Sequence, residues 1–219
     1  RMPQRYGQWK LASLYCLPEG KPQVQKEADG GASITYQYAL PTTPAAQCAV
    51  RYTVHPCGRV DVELRYDPVK ELGDMPEFGM LFTLDAQYDQ IRYYGMGPEE
   101  NYRDMRAHVS TGIYESTAEK EYFPYVMPQE HGNHTGCRWL ELEGGLRFRA
   151  DDTFEINVSR YTARDLKDAR HWDELHPDGF THVRVDYKNS GIGSNSCGPE
   201  LREKYRLAEK NIDFGFTIG

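Results

Sequence analysis

Strict two-residue alternation of apolar and polar side chains runs through most of this chain and restricts what it can fold into. Ile34, Tyr36, Tyr38 and Leu40 alternate with Thr35, Gln37 and Ala39, and Val60, Val62, Leu64 and Tyr66 with Asp61, Glu63 and Arg65. Phe154, Ile156 and Val158 alternate with Glu155, Asn157 and Ser159, and Val183, Val185 and Tyr187 with Arg184 and Asp186. Successive side chains on a strand point to opposite faces, so each run predicts a strand with one face on a core and the other in water. That is the pattern of an antiparallel sheet. Turn signals fall between the runs at Asp29-Gly30-Gly31, Cys57-Gly58 and Gly144-Gly145. The last predicts a two-residue hairpin between 139–143 and 146–150, because both glycines reach positive φ at little cost. A single helix is expected where Thr162 can cap, Asp165 lies three residues on, and Leu166, Ala169, Trp172 and Leu175 recur near helical spacing. Pro177 and Gly179 close it. With no linker or repeat in sight, residues 1–219 read as one all-β domain decorated by one short helix.

Composition narrows the function classes. Hydrophobic residues make up 39% of the 219, enough for a core, and the net charge is −7 with no basic run. A surface that tracks phosphates needs clustered Lys and Arg, so nucleic acid is excluded as a partner. No apolar run reaches the length of a membrane span. The opening Arg1-Met2-Pro3-Gln4-Arg5 holds no signal-peptide core, and a chain starting on Arg1 is expected to be a piece of something longer. Cys16, Cys48, Cys57, Cys137 and Cys197 are odd in number and lack paired spacing, which predicts reduced thiols and a cytoplasmic protein.

Several residues invite a chemical reading. Glu99 and Glu100 are adjacent carboxylates, but glycosidase carboxyls face each other across a sugar, and neighbours after the Gly97-Pro98 turn project apart. A solvated turn is the plainer expectation. His131 and His134, with Glu130, would suit a metal corner only if a further ligand joined them. Exposed loop histidines are the plainer expectation there. The glycine-rich stretch 191–199 has no Lys-Ser/Thr and no βαβ surroundings, so a phosphate cradle fails its context. It is suited instead to lining a shared pocket or to a plain connection. Residues 111–134, rich in Tyr, Phe and Pro, predict a long ordered loop held by aromatic side chains.

Read together, the motifs resemble a known family. Gly95-Met96-Gly97-Pro98-Glu99-Glu100-Asn101-Tyr102-Arg103-Asp104 resembles the G-x-G-P-x-E-N-Y-x-D motif of the C-terminal domain of family 2 β-galactosidases, which is also the small subunit of their two-chain relatives. Tyr122 through Gly132, Phe154 through Tyr161, Asp186 through Gly193 and Pro76 through Met80 are similar to further segments of that domain, in the same order. The resemblance implies an antiparallel supersandwich of the galactose mutarotase type. It implies that the catalytic glutamates lie on a barrel domain of the same chain or a large subunit, so that no catalytic residue is expected here. It further implies a galactoside substrate, a retaining mechanism, an oligomeric parent, and no cofactor in this domain, the Mg and Na ions of relatives being bound mainly elsewhere. Where relatives present a tryptophan to the sugar, this sequence has Cys197, with Asn195 and Ser196 as polar contacts. Two alternatives share the fold: a stand-alone mutarotase-like enzyme using His131, His134 or His182, and a carbohydrate-binding module.

Overall fold

A computed structural model describes residues 2–67, 69–193, 199–209 and 211–219, with side chains from Tyr6 onward. In chain order the elements are α1 (Met2–Tyr15), β1 (Leu17–Pro18), β2 (Gln23–Lys26), β3 (Ala32–Leu40), β4 (Ala46–Val54), β5 (Val60–Tyr66), β6 (Glu77–Asp85), β7 (Gln90–Gly97) and β8 (Ser110–Thr117). There follow β9 (Asn133–Leu142), β10 (Arg147–Ser159), α2 (Ala163–Asp168), β11 (Phe180–Asn189) and β12 (Ile212–Ile218). The expected class holds: the chain is nearly all β and its strand pairings are antiparallel. No described helix is long and apolar enough to cross a membrane. Contacts divide the chain into two compact units, Arg1–Phe78 with Asn189–Gly219, and Gly79–Lys188.

In the first unit β3, β4, β5 and β12 pair in that order, with β1 and β2 both on the free edge of β3. Register explains its core. Ile212, Phe214 and Phe216 stand opposite Tyr66, Leu64 and Val62, and all six are buried. Alternation on two neighbouring strands therefore lands on one shared face. Helix α1 was not anticipated. It buries Trp9 and Ala12, three residues apart, while Leu11 and Leu14 are exposed. The apolar positions thus trace no clean stripe that spacing could reveal. Trp9 Nε1 donates to the Asp74 carbonyl at 3.0 Å, and the indole meets the Tyr66 ring edge-on at 6.0 Å.

In the second unit the order is β6, β11, β10, β9, β7, β8. Ile91 and Tyr93 oppose Leu142 and Leu140, and Leu140 in turn opposes Phe148, giving a continuous buried row. Three expectations need correction. The hairpin turn holds three residues, Glu143 to Gly145, between Leu142 and Leu146, though Gly144 and Gly145 do take φ of 77° and 85°. The loop expected over 111–134 is shorter, because Ser110–Thr117 is strand β8 paired to β7. The expected helix is only the six-residue α2, opened by the Thr162–Asp165 capping box, and Trp172 lies beyond it in a separate turn, 67% exposed. Alternation also misleads on β10 and β11. Glu155, Asn157, Ser159 and Asp186 are buried along with their apolar neighbours; Asn133 meets Glu155, the His131 carbonyl meets Asn157, and the Tyr161 N–H meets Ser159 there.

A charged clasp joins two turns of the first unit. His55 bonds Asp29 at 2.8 Å through Nδ1 and Asp61 at 2.6 Å through Nε2, linking the turn before β3 to the start of β5. The Asp29 hydrogen bond, then the Asp61 one, raise the His55 pKa above 6.5. A raised histidine pKa adds stability in full below the unfolded value and loses it as pH climbs through the folded value. Thermal melts should therefore show the protein losing stability from pH 6 to pH 8 relative to His55→Ala; parallel pH profiles for the two would contradict the clasp.

Candidate functional site

The family-like motif sits where β7 ends and the chain turns toward β8, entirely within the second unit. Its glycines answer a packing demand. A Cβ on Gly95 would lie 2.4 Å from the Cys137 sulfur, and one on Gly97 would lie 2.3 Å from the Tyr93 hydroxyl. No side chain fits at either position. After the cis Gly97–Pro98 peptide the chain enters a buried polar network centred on Asn101, which has no exposed surface. Asn101 Nδ2 donates to the carbonyls of Met96 (2.9 Å) and Glu99 (3.1 Å), while Oδ1 accepts from Thr135 N (2.9 Å) and Thr135 Oγ1 (2.6 Å). The Asn101 backbone N–H reaches Asn133 O at 2.6 Å, and Asn133 Nδ2 returns a bond to Asn101 O at 3.1 Å and another to Glu155 at 3.0 Å.

This arrangement decides the two glutamates. Glu99 is exposed on the turn. Glu100 is half-buried, and each of its oxygens is engaged: one accepts from the Tyr125 hydroxyl, the other from Gly132 N at 2.7 Å. Burial first, and then the bond to Glu100, push the Tyr125 hydroxyl up to about 12, so it stays a donor. Glu100 ties the segment after β8 to the start of β9, which is a structural role.

The histidines do not form a metal corner or an acid–base site together. His131 is buried, not exposed as expected; its Nδ1 meets the Gln129 carbonyl at 2.8 Å and its ring meets Tyr122 edge-on. His134, also buried, bonds Glu121 at 2.5 Å through Nε2 and the Tyr93 hydroxyl at 3.1 Å through Nδ1. Glu130 turns instead to the Tyr102 hydroxyl and to Arg184. His182 lies on β11 beside Asp178 at 3.1 Å and Thr83 at 3.5 Å. No group of three or more candidate metal ligands occurs among the described residues. Cys137 is no nucleophile: burial, then the charges of Glu155 and Glu121, hold its thiol well above the ordinary value. The four described cysteines are free. Cys197, Asn195 and Ser196, the expected sugar contacts, lie outside the described residues.

Elsewhere in the unit, a shallow cleft of about 560 Å³ opens among β7, β8 and β9, lined by Arg92, Glu115, Lys120 and Glu141 among others. Its carboxylates face cations, Glu115 with Arg92 at 3.6 Å and Glu141 with Arg147, and both guanidiniums flank the Trp139 ring. With Glu115 and Glu141 paired to cations and no aromatic ring in its lining, the cleft offers no facing pair of carboxylates and no apolar face for a sugar. Glu121 and Thr135 carry no sequence mark as network members, since burial of a polar side chain leaves no periodic trace. Asn101 was visible only as part of the motif.

The family model described as the β-galactosidase small chain matches residues 2–218. A β-galactosidase from Actinobacillus pleuropneumoniae is 38% identical over 169 residues, 77% of this chain and 17% of the relative. One from Streptococcus thermophilus is 34% identical over 206 residues, covering 91% of this chain and 20% of the relative. One from Priestia megaterium is 31% identical over 224 aligned positions, 100% of this chain and 21% of the relative. The chain thus spans about a fifth of the length of the curated relatives it matches.

The network makes a quantitative prediction. Asn101→Ala would strand two carbonyls and the Thr135 N–H in the interior, and should cost roughly 3 kcal/mol in chemical denaturation. A loss under about 0.5 kcal/mol, the range of a surface change, would contradict the network. By fold, motif and match across residues 2–218, the chain belongs to the β-galactosidase small-chain family.

Proposed function

We propose that this chain is the C-terminal, small-chain part of a β-galactosidase of glycoside hydrolase family 2 that hydrolyses terminal β-D-galactosyl residues of lactose-type substrates. The observation that carries the reading is the shared span: the chain matches relatives named β-galactosidase over most of its own length but only 17%, 20% and 21% of theirs. The retaining reaction needs two carboxyls about 5 Å apart across one sugar, presented by a rigid scaffold. A (β/α)₈ barrel of about 250 residues would supply them, and the rest of a relative's length has ample room for one. The engagement of Glu100 with Tyr125 and Gly132 supports placing the chemistry outside this chain.

In this reading the chain completes the rim of the active site and supports assembly of an oligomeric enzyme. Asn195, Ser196 and Cys197, which follow β11 in sequence, contact the galactoside. A thiol at Cys197 cannot present the apolar face that an indole offers to a sugar, so this side of the pocket orients substrate through polar contacts. The Mg and Na ions of the full enzyme are held by its other parts. The free cysteines support a cytoplasmic setting.

A chromogenic β-galactoside tests the assignment. The 219-residue chain alone should give no turnover, and the full-length enzyme should give robust turnover. In that enzyme Glu100→Gln should lower Tm yet leave kcat within about threefold, since the carboxylate acts on a loop rather than on substrate. Turnover by the isolated chain that vanishes on substituting Glu99 or Glu100 would overturn the proposal.

A further inference from the structure

We propose that the apolar tip formed by Phe123, Tyr125, Val126 and Met127 is the surface on which the remainder of the β-galactosidase docks against this chain; the proposal rests on the functional reading above. Val126 is 94% exposed, Met127 59% and Phe123 50%, three large apolar side chains within five residues. Soluble surfaces scatter single apolar groups readily but rarely present a contiguous cluster without a partner. From Tyr122 to Pro128 there is no charged residue, whereas Glu119, Lys120 and Glu130 flank the stretch at the surface. An aromatic and methionine centre inside a charged margin is the layout of a protein interface.

The tip is held in place, not loosely draped. The Tyr125 hydroxyl binds Glu100, whose other oxygen holds Gly132 N at 2.7 Å. Glu121 is anchored to buried His134 at 2.5 Å. The Tyr122 ring packs against Tyr161 at 5.4 Å, and Phe123 against Tyr125 at 4.7 Å. These bonds fix both ends of the segment while leaving Val126 and Met127 in water. A surface ordered before contact loses little conformational entropy on docking, which is what preorganisation contributes to affinity.

The occupant follows from length. The matched relatives carry about four fifths of their sequence outside the region this chain covers. A body of that size must be held by the small-chain part if the two are to act as one enzyme, and no such contact is required of a second copy of this chain. Phe123, Tyr125 and Met127 are of the aromatic and methionine types enriched at such interfaces.

Photo-cross-linking in the full-length enzyme tests this. Val126 is replaced by p-benzoylphenylalanine, which its exposure accommodates, and Glu119 is replaced likewise as a control on the charged margin. After irradiation, mass spectrometry should find Val126-site adducts on peptides outside the 219 residues, at a yield about tenfold above the control, because the ketone must touch its target. Adducts confined to residues 1–219 of a second subunit, or a yield no higher than at Glu119, would overturn the proposal. Galactoside hydrolysis measured on the same sample separates the two readings. Turnover without the cross-link sinks the docking surface alone, and the cross-link without turnover upholds docking while removing the proposed activity.

Discussion

The carboxamide of Asn101 uses both of its donors and its acceptor on groups from two places in the chain. It holds the carbonyls of Met96 and Glu99 on one side and the Thr135 backbone and hydroxyl on the other. Those groups lie more than thirty residues apart in sequence, on the exit of β7 and on β9. In a dry interior each such bond is strengthened, and each lost partner is expensive, so the node either forms completely or not at all. The positions of Glu100, Tyr102 and the whole segment from β8 to β9 depend on it. With Gly95 and Gly97 pressed against Cys137 and Tyr93, the turn has little freedom to adopt another path.

This constraint explains why carboxylates that look chemical in the sequence are structural. Glu100 is bound at both oxygens, and Glu130, offered by the sequence as a metal-corner partner, faces Tyr102 and Arg184. A general acid or nucleophile must have an oxygen available to the substrate. Glu100 has neither oxygen open, and the aromatic segment it anchors projects its apolar tip outward instead.

Much of the fold was legible because period two is a backbone property that tertiary context seldom erases. Strands β3, β5 and β11 fall where alternation places them, and the capping box at Thr162 forms as its residues predict. Misreadings arose where packing overrode local signals. Helix α1 anchors through Trp9 and Ala12 with no apolar stripe, and in β8 Gly112 and a run of small polar residues hide the alternation. Glu155 and Asn157 look solvent-facing by alternation, yet Asn133 and the His131 carbonyl meet them inside. Of the site, the motif was visible as a string of residues, but which of its polar groups turn inward depends on contacts between β7 and β9 that no local pattern encodes. The expected sugar contacts at 195–197 lie outside the described residues.

Native-state hydrogen exchange of the Thr135 amide tests the central node most directly. If Asn101 holds it as described, Thr135 should exchange as slowly as the core amides of Leu140 and Val183, through opening of the unit as a whole. Exchange as fast as that of Gly144, on an exposed turn, would show that the network does not organise this part of the protein.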